Sequence, residues 1–324
     1  MSFNIEKVPK LSLCILPTPI IPMKNLSESL AKRVEIYVKR DDLTGLAFGG
    51  NKCRKAEYLL ANAKSQKADT IITEGAIQSN HCLQTAICSL KTGFNCELVL
   101  SGDKPQRSTG NFYLNNLLSI PIHIVETTDE RKAMMEERRV ILQSEGKHPY
   151  IIPTGGSTSI GIYGYINFIK EIADQSPNLS FDYLIIASGS GGTQAGSIIG
   201  KNLYLEDLEV IGISPGDQKW DLVRIIKKLI TEFEEKESLN LDEAITLYDE
   251  YSGPGYGILN KETIDTIKLI ATLEGLFLDP VYTGKAMVGM IDLINREIIP
   301  SGSRILFLHS GGGPSLFTDP SLLI

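Results

Sequence analysis

"YLIIASGSGGTQAG", Tyr183 to Gly196, runs an apolar tetrad into a glycine and serine turn and then into helix-forming residues. The tetrad reads as a buried strand, and the helix pattern takes over at Gln194. Glycines let backbone N–H groups close on an anion, and a helix start adds the positive end of its dipole. The stretch is therefore a tight turn or a phosphate cradle at the carboxyl end of a strand. A Walker loop is excluded, because no G-x-x-x-x-G-K-[ST] occurs. A dinucleotide fingerprint fits poorly, since the glycine spacing is irregular and the next strand, "EVIGIS", ends in Ser214 rather than an acid. A single terminal phosphate suits the loop better than a pyrophosphate.

The same strand, loop and helix alternation extends in both directions. Strands are predicted at "EIYVKR", "DTIITEG", "CELVLSG", "IHIVE", "PYIIP", "DYLIIAS", "EVIGIS" and "RILFLHS". Helices are predicted over Arg54–Lys64, His81–Thr92, Arg131–Glu145, Gly161–Asp174, Gln194–Leu203, Thr263–Glu274 and Lys285–Arg296. This is the pattern of an α/β fold with mostly parallel, twisted sheets covered on both faces. Glycine clusters at "FGGNK" and "PTGGSTSIG" bracket residues 50–154, which we expect to form a smaller inserted α/β domain. Residues 1–49 and 155–324 would make up the larger one. The acidic, turn-rich stretch "EKESLNLDEAITLYDEYSGPGYG" reads as a surface excursion.

Composition bounds the function. With 324 residues, 42% apolar and 22% charged, the chain reads as a soluble globular protein. A net charge of -7 disfavours nucleic acid and anionic membranes as partners. No apolar run reaches the roughly 20 residues of a membrane span, and the proline-broken N-terminus lacks the pattern of a secretory signal. Five cysteines without a C-x-x-C pair, and only four histidines, argue against a zinc site and for a reducing cytoplasm.

"AFGGNKCRK", Ala47 to Lys55, sets Lys52, Arg54 and Lys55 at a helix start, the end that favours anions. Either this is a solvated turn, or one lysine is held where its charge is disfavoured and its amine reacts. Lys52, nearest the glycines, is the favoured candidate; Arg54 and Lys55 are then neighbours, exposed or part of a field for an anionic substrate. Three more loops stand at carboxyl ends of strands. "EGAIQSNHCLQTA" carries Ser79 and Asn80 at a helix N-cap position, so capping alone explains one of them. Together with Gln78 and His81 they could bind a substrate carboxylate. "DPVYTGKA" brackets Tyr282 between Pro280 and Gly284, and "FLHSGGGPS" delivers Ser310 before three glycines. A reactive lysine, a single-phosphate cradle and carboxylate donors together indicate pyridoxal phosphate acting on an amino acid.

At this point "KRDDLTGLAFGGNKCRKAEYLLANA", "GAIQSNHCLQTA", "SGSGGTQAG", "GPGYG", "LEGLFLDPVYTGKA" and "HSGGGP" resemble the D-cysteine desulfhydrase and 1-aminocyclopropane-1-carboxylate (ACC) deaminase family. These are fold-type II, tryptophan-synthase-β-like enzymes that use pyridoxal 5'-phosphate. The resemblance runs from about Pro17 to Phe317. It implies two three-layer αβα domains with the cofactor in the cleft between them, and a homodimer. It makes Lys52 the Schiff-base lysine and proton-transfer base, with Ser79 and Tyr282 beside it in catalysis. It assigns Asn80, Ser190, Gly191, Gly192, Thr193, Tyr282 and Ser310 to the cofactor. Ser79, Asn80, His81, Tyr256 and Thr283 fall to the substrate.

Two positions separate the branches. The deaminases place a glutamate after the loop tyrosine, where this chain has Thr283, and a leucine after the last histidine, where it has Ser310. A hydroxyl on the ring nitrogen leaves the ring a milder electron sink than a carboxylate does. That suits α-proton loss followed by departure of a good β-leaving group. The resemblance therefore implies α,β-elimination of D-cysteine to pyruvate, ammonia and hydrogen sulfide. ACC deamination, elimination from another amino acid such as L-cysteate, and a non-catalytic small-molecule sensor are the alternatives.

Overall fold

The computed structural model describes residues 3–30, 33–242 and 244–318. Two sheets organise the chain. The first holds Ile20–Pro22 (β1), Glu35–Lys39 (β2), Tyr183–Ala187 (β7), Glu209–Ile213 (β8), Thr246–Tyr248 (β9) and Arg304–Leu308 (β10), in the order β1-β2-β10-β7-β8-β9. The second holds Thr70–Ala76 (β3), Asn95–Ser101 (β4), Ile122–Val125 (β5) and Pro149–Ile152 (β6), in the order β5-β4-β3-β6. Every pairing is parallel except β1 with β2.

Parallel strands need crossover helices, and these cover both faces. They are Lys24–Ser29 (α1), Asn51–Ser65 (α2), Asn80–Lys91 (α3), Gly110–Leu117 (α4), Thr128–Ser144 (α5), Tyr163–Gln175 (α6), Gly192–Tyr204 (α7), Lys219–Glu237 (α8), Lys261–Glu274 (α9) and Thr283–Asn295 (α10). The two-residue period of the strands divides the core. Leu184, Ile186, Leu306 and Leu308 pack toward α6, α7 and α8, whereas Ile185, Ala187, Ile305 and Phe307 pack toward α9 and α10. In the smaller sheet Ile71, Leu98 and Leu100 meet α2 and α3, while Ile72 and Val99 meet Met135 and Leu142 of α5.

All eight expected strands are present. Two more were not anticipated. Strand β1 is a proline-containing edge, where the missing N–H costs no ladder bond. Strand β9 lies inside the acidic stretch read as a surface excursion: Leu247 is buried and pairs with Gly212. Helix α2 begins earlier than predicted, so Lys52 lies within its first turn.

Candidate active site

The site gathers at the carboxyl ends of β3, β7 and β10 and at the starts of α2, α3, α7 and α10. One end of it is built on the loop from β7 to α7. Gly191 takes a left-handed φ of 75° as the N-cap of α7 and offers no side-chain cap. The first turn therefore presents backbone N–H groups, of which Gly192 N donates to Ser157 Oγ at 3.1 Å. Ser157 Oγ lies 2.8 Å from Ser190 Oγ, and Lys55 Nζ donates to it at 3.3 Å and to Gly155 O at 3.1 Å. A Cβ on Gly155 would stand 2.0 Å from Ser190 Oγ, so that turn requires glycine. Asn51 Nδ2 donates to Thr193 Oγ1 at 3.2 Å, tying α2 to α7. An uncapped helix start, ringed by hydroxyls and backed by a lysine, fits a phosphate.

The electrostatic question at the start of α2 has a structural answer. Its first-turn donors are already satisfied: Gln84 Oε1 accepts from Lys52 N at 3.1 Å and from Cys53 N at 3.2 Å, and Ser310 O accepts from Asn51 N at 3.0 Å. Gly50 makes room for this, because a Cβ there would meet Gln84 Nε2 at 2.5 Å. Arg54 and Lys55 are not exposed, contrary to one of the two expectations for them; each is 1% accessible. Arg54 donates to Asp41 Oδ1 and Oδ2 at 2.8 Å and to both Glu171 oxygens at 2.9 Å. Burial pushes the Lys55 ammonium well below its ordinary pKa, with Lys52 adding repulsion. Among the described residues Lys52 Nζ has neither hydrogen bond nor ion pair. Burial brings its pKa down to about 8. Desolvation, rather than the helix start, is what disfavours the Lys52 cation.

At α3, Ser79 is the N-cap, its Oγ accepting from Cys82 N at 3.2 Å. Asn80 Oδ1 accepts from Asn111 Nδ2 at 2.6 Å. His81 is buried with both ring nitrogens engaged. Thr73 Oγ1 lies 2.8 Å from Nε2 and gives its own proton to Ile152 O, which makes Nε2 the protonated nitrogen. Nδ1 then accepts from Thr85 Oγ1 at 3.2 Å. Burial, Lys52 and Lys55 hold this imidazole well below its ordinary pKa, so it is neutral. The ring keeps no polar atom to offer a substrate.

At α10, Asp279 is the organiser that sequence reading missed. Its carboxylate accepts from Val281 N, Tyr282 N, Thr283 N and Thr283 Oγ1 at 2.7 to 2.9 Å. Thr283 is fully buried, with its hydroxyl committed to this cap. Tyr282 faces the glycine loop, since a Cβ on Gly189 would touch its ring at 3.0 Å. Its hydroxyl shares a short hydrogen bond with that of Tyr256. Burial and Tyr256 raise the Tyr282 pKa well above its ordinary value, so the phenol is a donor rather than a base. Ser310, 9% accessible, makes no side-chain hydrogen bond among the described residues.

Lys285 was also missed. Its buried ammonium donates to Pro215 O at 2.8 Å, Ser252 O at 2.6 Å and Gly255 O at 2.7 Å, pinning the Tyr256 loop. Lys285→Met is expected to lower stability by about 2–3 kcal/mol, read as a lower denaturation midpoint. It should also raise the rate of chymotryptic cleavage after Tyr251 and Tyr256. Unchanged cleavage would show that the loop does not depend on this lysine.

Residues 11–311 match the model for pyridoxal-phosphate dependent enzymes. The chain belongs to that family. A solved structure described as an ACC deaminase homologue is 38% identical, superposes with a TM-score of 0.92 and is covered over 98% of this chain and 96% of its own. A threonine deaminase isoform 2 from Solanum lycopersicum is 17% identical with a TM-score of 0.70, over 95% and 82% of the two chains. A pyridoxal 5'-phosphate-dependent aspartate racemase is 15% identical, also at 0.70, over 94% and 92%. The last two share the fold. The cofactor of this pyridoxal-phosphate dependent enzyme is pyridoxal 5'-phosphate, and its fold is the α/β fold-type II architecture. The open start of α7 and the unpartnered Lys52 amine suit the cofactor's phosphate and aldehyde respectively. No helix among the described residues is long and apolar enough to cross a membrane.

Proposed function

We propose that this enzyme eliminates sulfide from D-cysteine, releasing pyruvate, ammonia and hydrogen sulfide. The observation that carries the reading is the identity of the groups at the ends of β10 and α10. Ser310 brings there a hydroxyl with no side-chain hydrogen bond among the described residues. The nearest acid of that loop, Asp279, has its oxygens occupied by four donors. A hydroxyl partner for a pyridine nitrogen suits elimination better than ring opening. The cofactor supplies electron withdrawal from the substrate's α-carbon.

Each residue then has a task. Gly189–Thr193 with Ser157 would hold the phosphate, and Lys52 would carry the cofactor through its amine. The same amine, with a pKa of about 8, would take the substrate's α-proton. Ser79 and Asn80 at the start of α3 receive the substrate carboxylate. Tyr282, kept protonated and joined to Tyr256, donates at the substrate. The carbon–sulfur pair leaves with the sulfur, and the resulting aminoacrylate hydrolyses to pyruvate and ammonia. His81 and Thr283, buried and fully bonded, act by setting the positions of α3 and Tyr282. A cytoplasmic homodimer completes the proposal.

A second reading, ACC deamination to 2-oxobutanoate and ammonia, is favoured by the 38% identical structure described as an ACC deaminase homologue. One assay separates them. Pyruvate release is measured with D-cysteine, L-cysteine and L-cysteate, and 2-oxobutanoate release with ACC. Pyruvate and sulfide from D-cysteine are expected. 2-Oxobutanoate from ACC without pyruvate from D-cysteine would overturn the proposal, and preference for L-cysteate would reassign the substrate.

A further inference from the structure

The orientation of one side-chain amide in the site is dictated by two residues to which the sequence assigned no role. Asn111 of α4 is fully buried, and its Nδ2 lies 2.9 Å from Gln78 O and 2.6 Å from the Asn80 side chain. A main-chain carbonyl can only accept, so the Asn111 atom facing Gln78 O must be the nitrogen. That nitrogen is then a donor, so the Asn80 atom facing it must be Oδ1. Ser315, in the turn Gly313–Phe317 after β10, adds a second donor: its Oγ gives to Asn80 Oδ1 at 3.3 Å. Both contacts engage the oxygen, and among the described residues Asn80 Nδ2 has no partner.

The free end is aimed usefully. Asn80 and Gln84 stand four residues apart on α3 and so share a face. Gln84 is the residue that caps the turn carrying Lys52. The Asn80 side chain thus lies on the face of α3 that meets the Lys52 turn, and its NH2, the end not held by Asn111 and Ser315, is a donor with no acceptor among the described residues.

We infer that Asn111 and Ser315 are positioning residues that lock the Asn80 carboxamide with its NH2 toward the site, to receive an oxygen acceptor of the cofactor or substrate. The lock joins the two sheets. Asn111 flanks the four-stranded sheet, and Ser315 follows the last strand of the six-stranded one. A further bond, Thr109 Oγ1 to Thr318 O at 3.0 Å, closes the same junction. A separation of the two sheets at this point would release Asn80. The inference rests on the proposed placement of Asn80 in the site, but not on the identity of the substrate.

The test uses Asn111→Asp, which replaces the donor with an acceptor and turns the Asn80 amide over. Two constants are read on the full-length protein: the dissociation constant for pyridoxal 5'-phosphate, by absorbance titration of dialysed protein, and substrate KM against kcat. A cofactor acceptor predicts about a tenfold weaker cofactor constant; a substrate carboxylate predicts about a tenfold higher KM with kcat little changed. Asn80→Ala should show the same loss, and the double variant no further loss, because the two residues act through one bond. Ser315→Ala, which removes one hydroxyl and keeps the fold readable if Asn111→Asp does not fold, should show about a threefold loss in the same constant. Unchanged constants in Ser315→Ala and Asn111→Asp, or additive losses with Asn80→Ala, would overturn the inference. The cofactor titration stays readable if D-cysteine proves to be the wrong substrate, so the two failures are distinguishable.

Discussion

Replacing Lys52 with alanine is expected to abolish the yellow absorbance of lysine-bound cofactor and to cut turnover by about 10³-fold or more. Lys52→Arg should do the same, because a guanidinium is protonated at every working pH and cannot condense with an aldehyde. The wild-type amine titrates near pH 8 through burial. Its neutral fraction, and with it the rate at which dialysed protein takes up pyridoxal 5'-phosphate, should rise about tenfold per pH unit below 8 and level off above it. Stopped-flow absorbance at several pH values checks this. A uptake rate independent of pH between 6 and 8, or a yellow and active Lys52→Ala protein, would remove Lys52 from the assignment.

Arg54→Met is expected to destabilise the fold by about 3–5 kcal/mol, the range for breaking a buried ion pair from one side. That is a large share of the roughly 5–15 kcal/mol that holds a typical domain. Methionine keeps the aliphatic stem but removes the guanidinium that overlies Phe168 at 5.1 Å, so the loss includes that contact as well as the ion pairs. It leaves Asp41, fully buried, with only Thr18 and Tyr165 as side-chain donors among the described residues. Glu171 keeps Lys39 at 2.6 Å.

The same network sets an acid limit. Burial alone would raise the Glu171 pKa, but Arg54 and Lys39 overcome it and hold the group at about 2. An unfolded glutamate titrates near 4.3. The folded value is the lower one, so this stabilisation is complete above about pH 5 and is lost as pH falls from there toward 2. Urea midpoints at pH 7 and pH 4 should differ in the wild type and differ less in Arg54→Met. A variant within about 1 kcal/mol of wild type would show that the cluster is dispensable.

Much of this was legible along the chain. Eight of the strands announce themselves as apolar runs, six of them ended by glycine, serine or proline, and the phosphate loop as glycines between a strand and a helix. Helix α8 was equally legible in principle, since Leu222, Ile226, Leu229, Ile230 and Phe233 keep a helical spacing. Strand β9 was not: Thr246–Tyr248 is too short for a period, and acidic residues surround it. Asp279 stood in a quoted motif, yet capping is a matter of which N–H groups lie within reach.

The sequence by itself determined the alternation of strands and helices, the glycine loop and the candidate lysine, because these are local patterns of apolarity, backbone freedom and residue type. Only the tertiary structure decided which cations are bound and which is free. Arg54 finds Asp41 and Glu171, 13 and 117 residues away, whereas Lys52, two positions earlier, finds no partner among the described residues. Likewise Asn80 became a donor through Asn111 and Ser315, 31 and 235 residues distant. Charge state and hydrogen-bond polarity depend on burial and on partners brought together by folding, and neither is written at the residue itself.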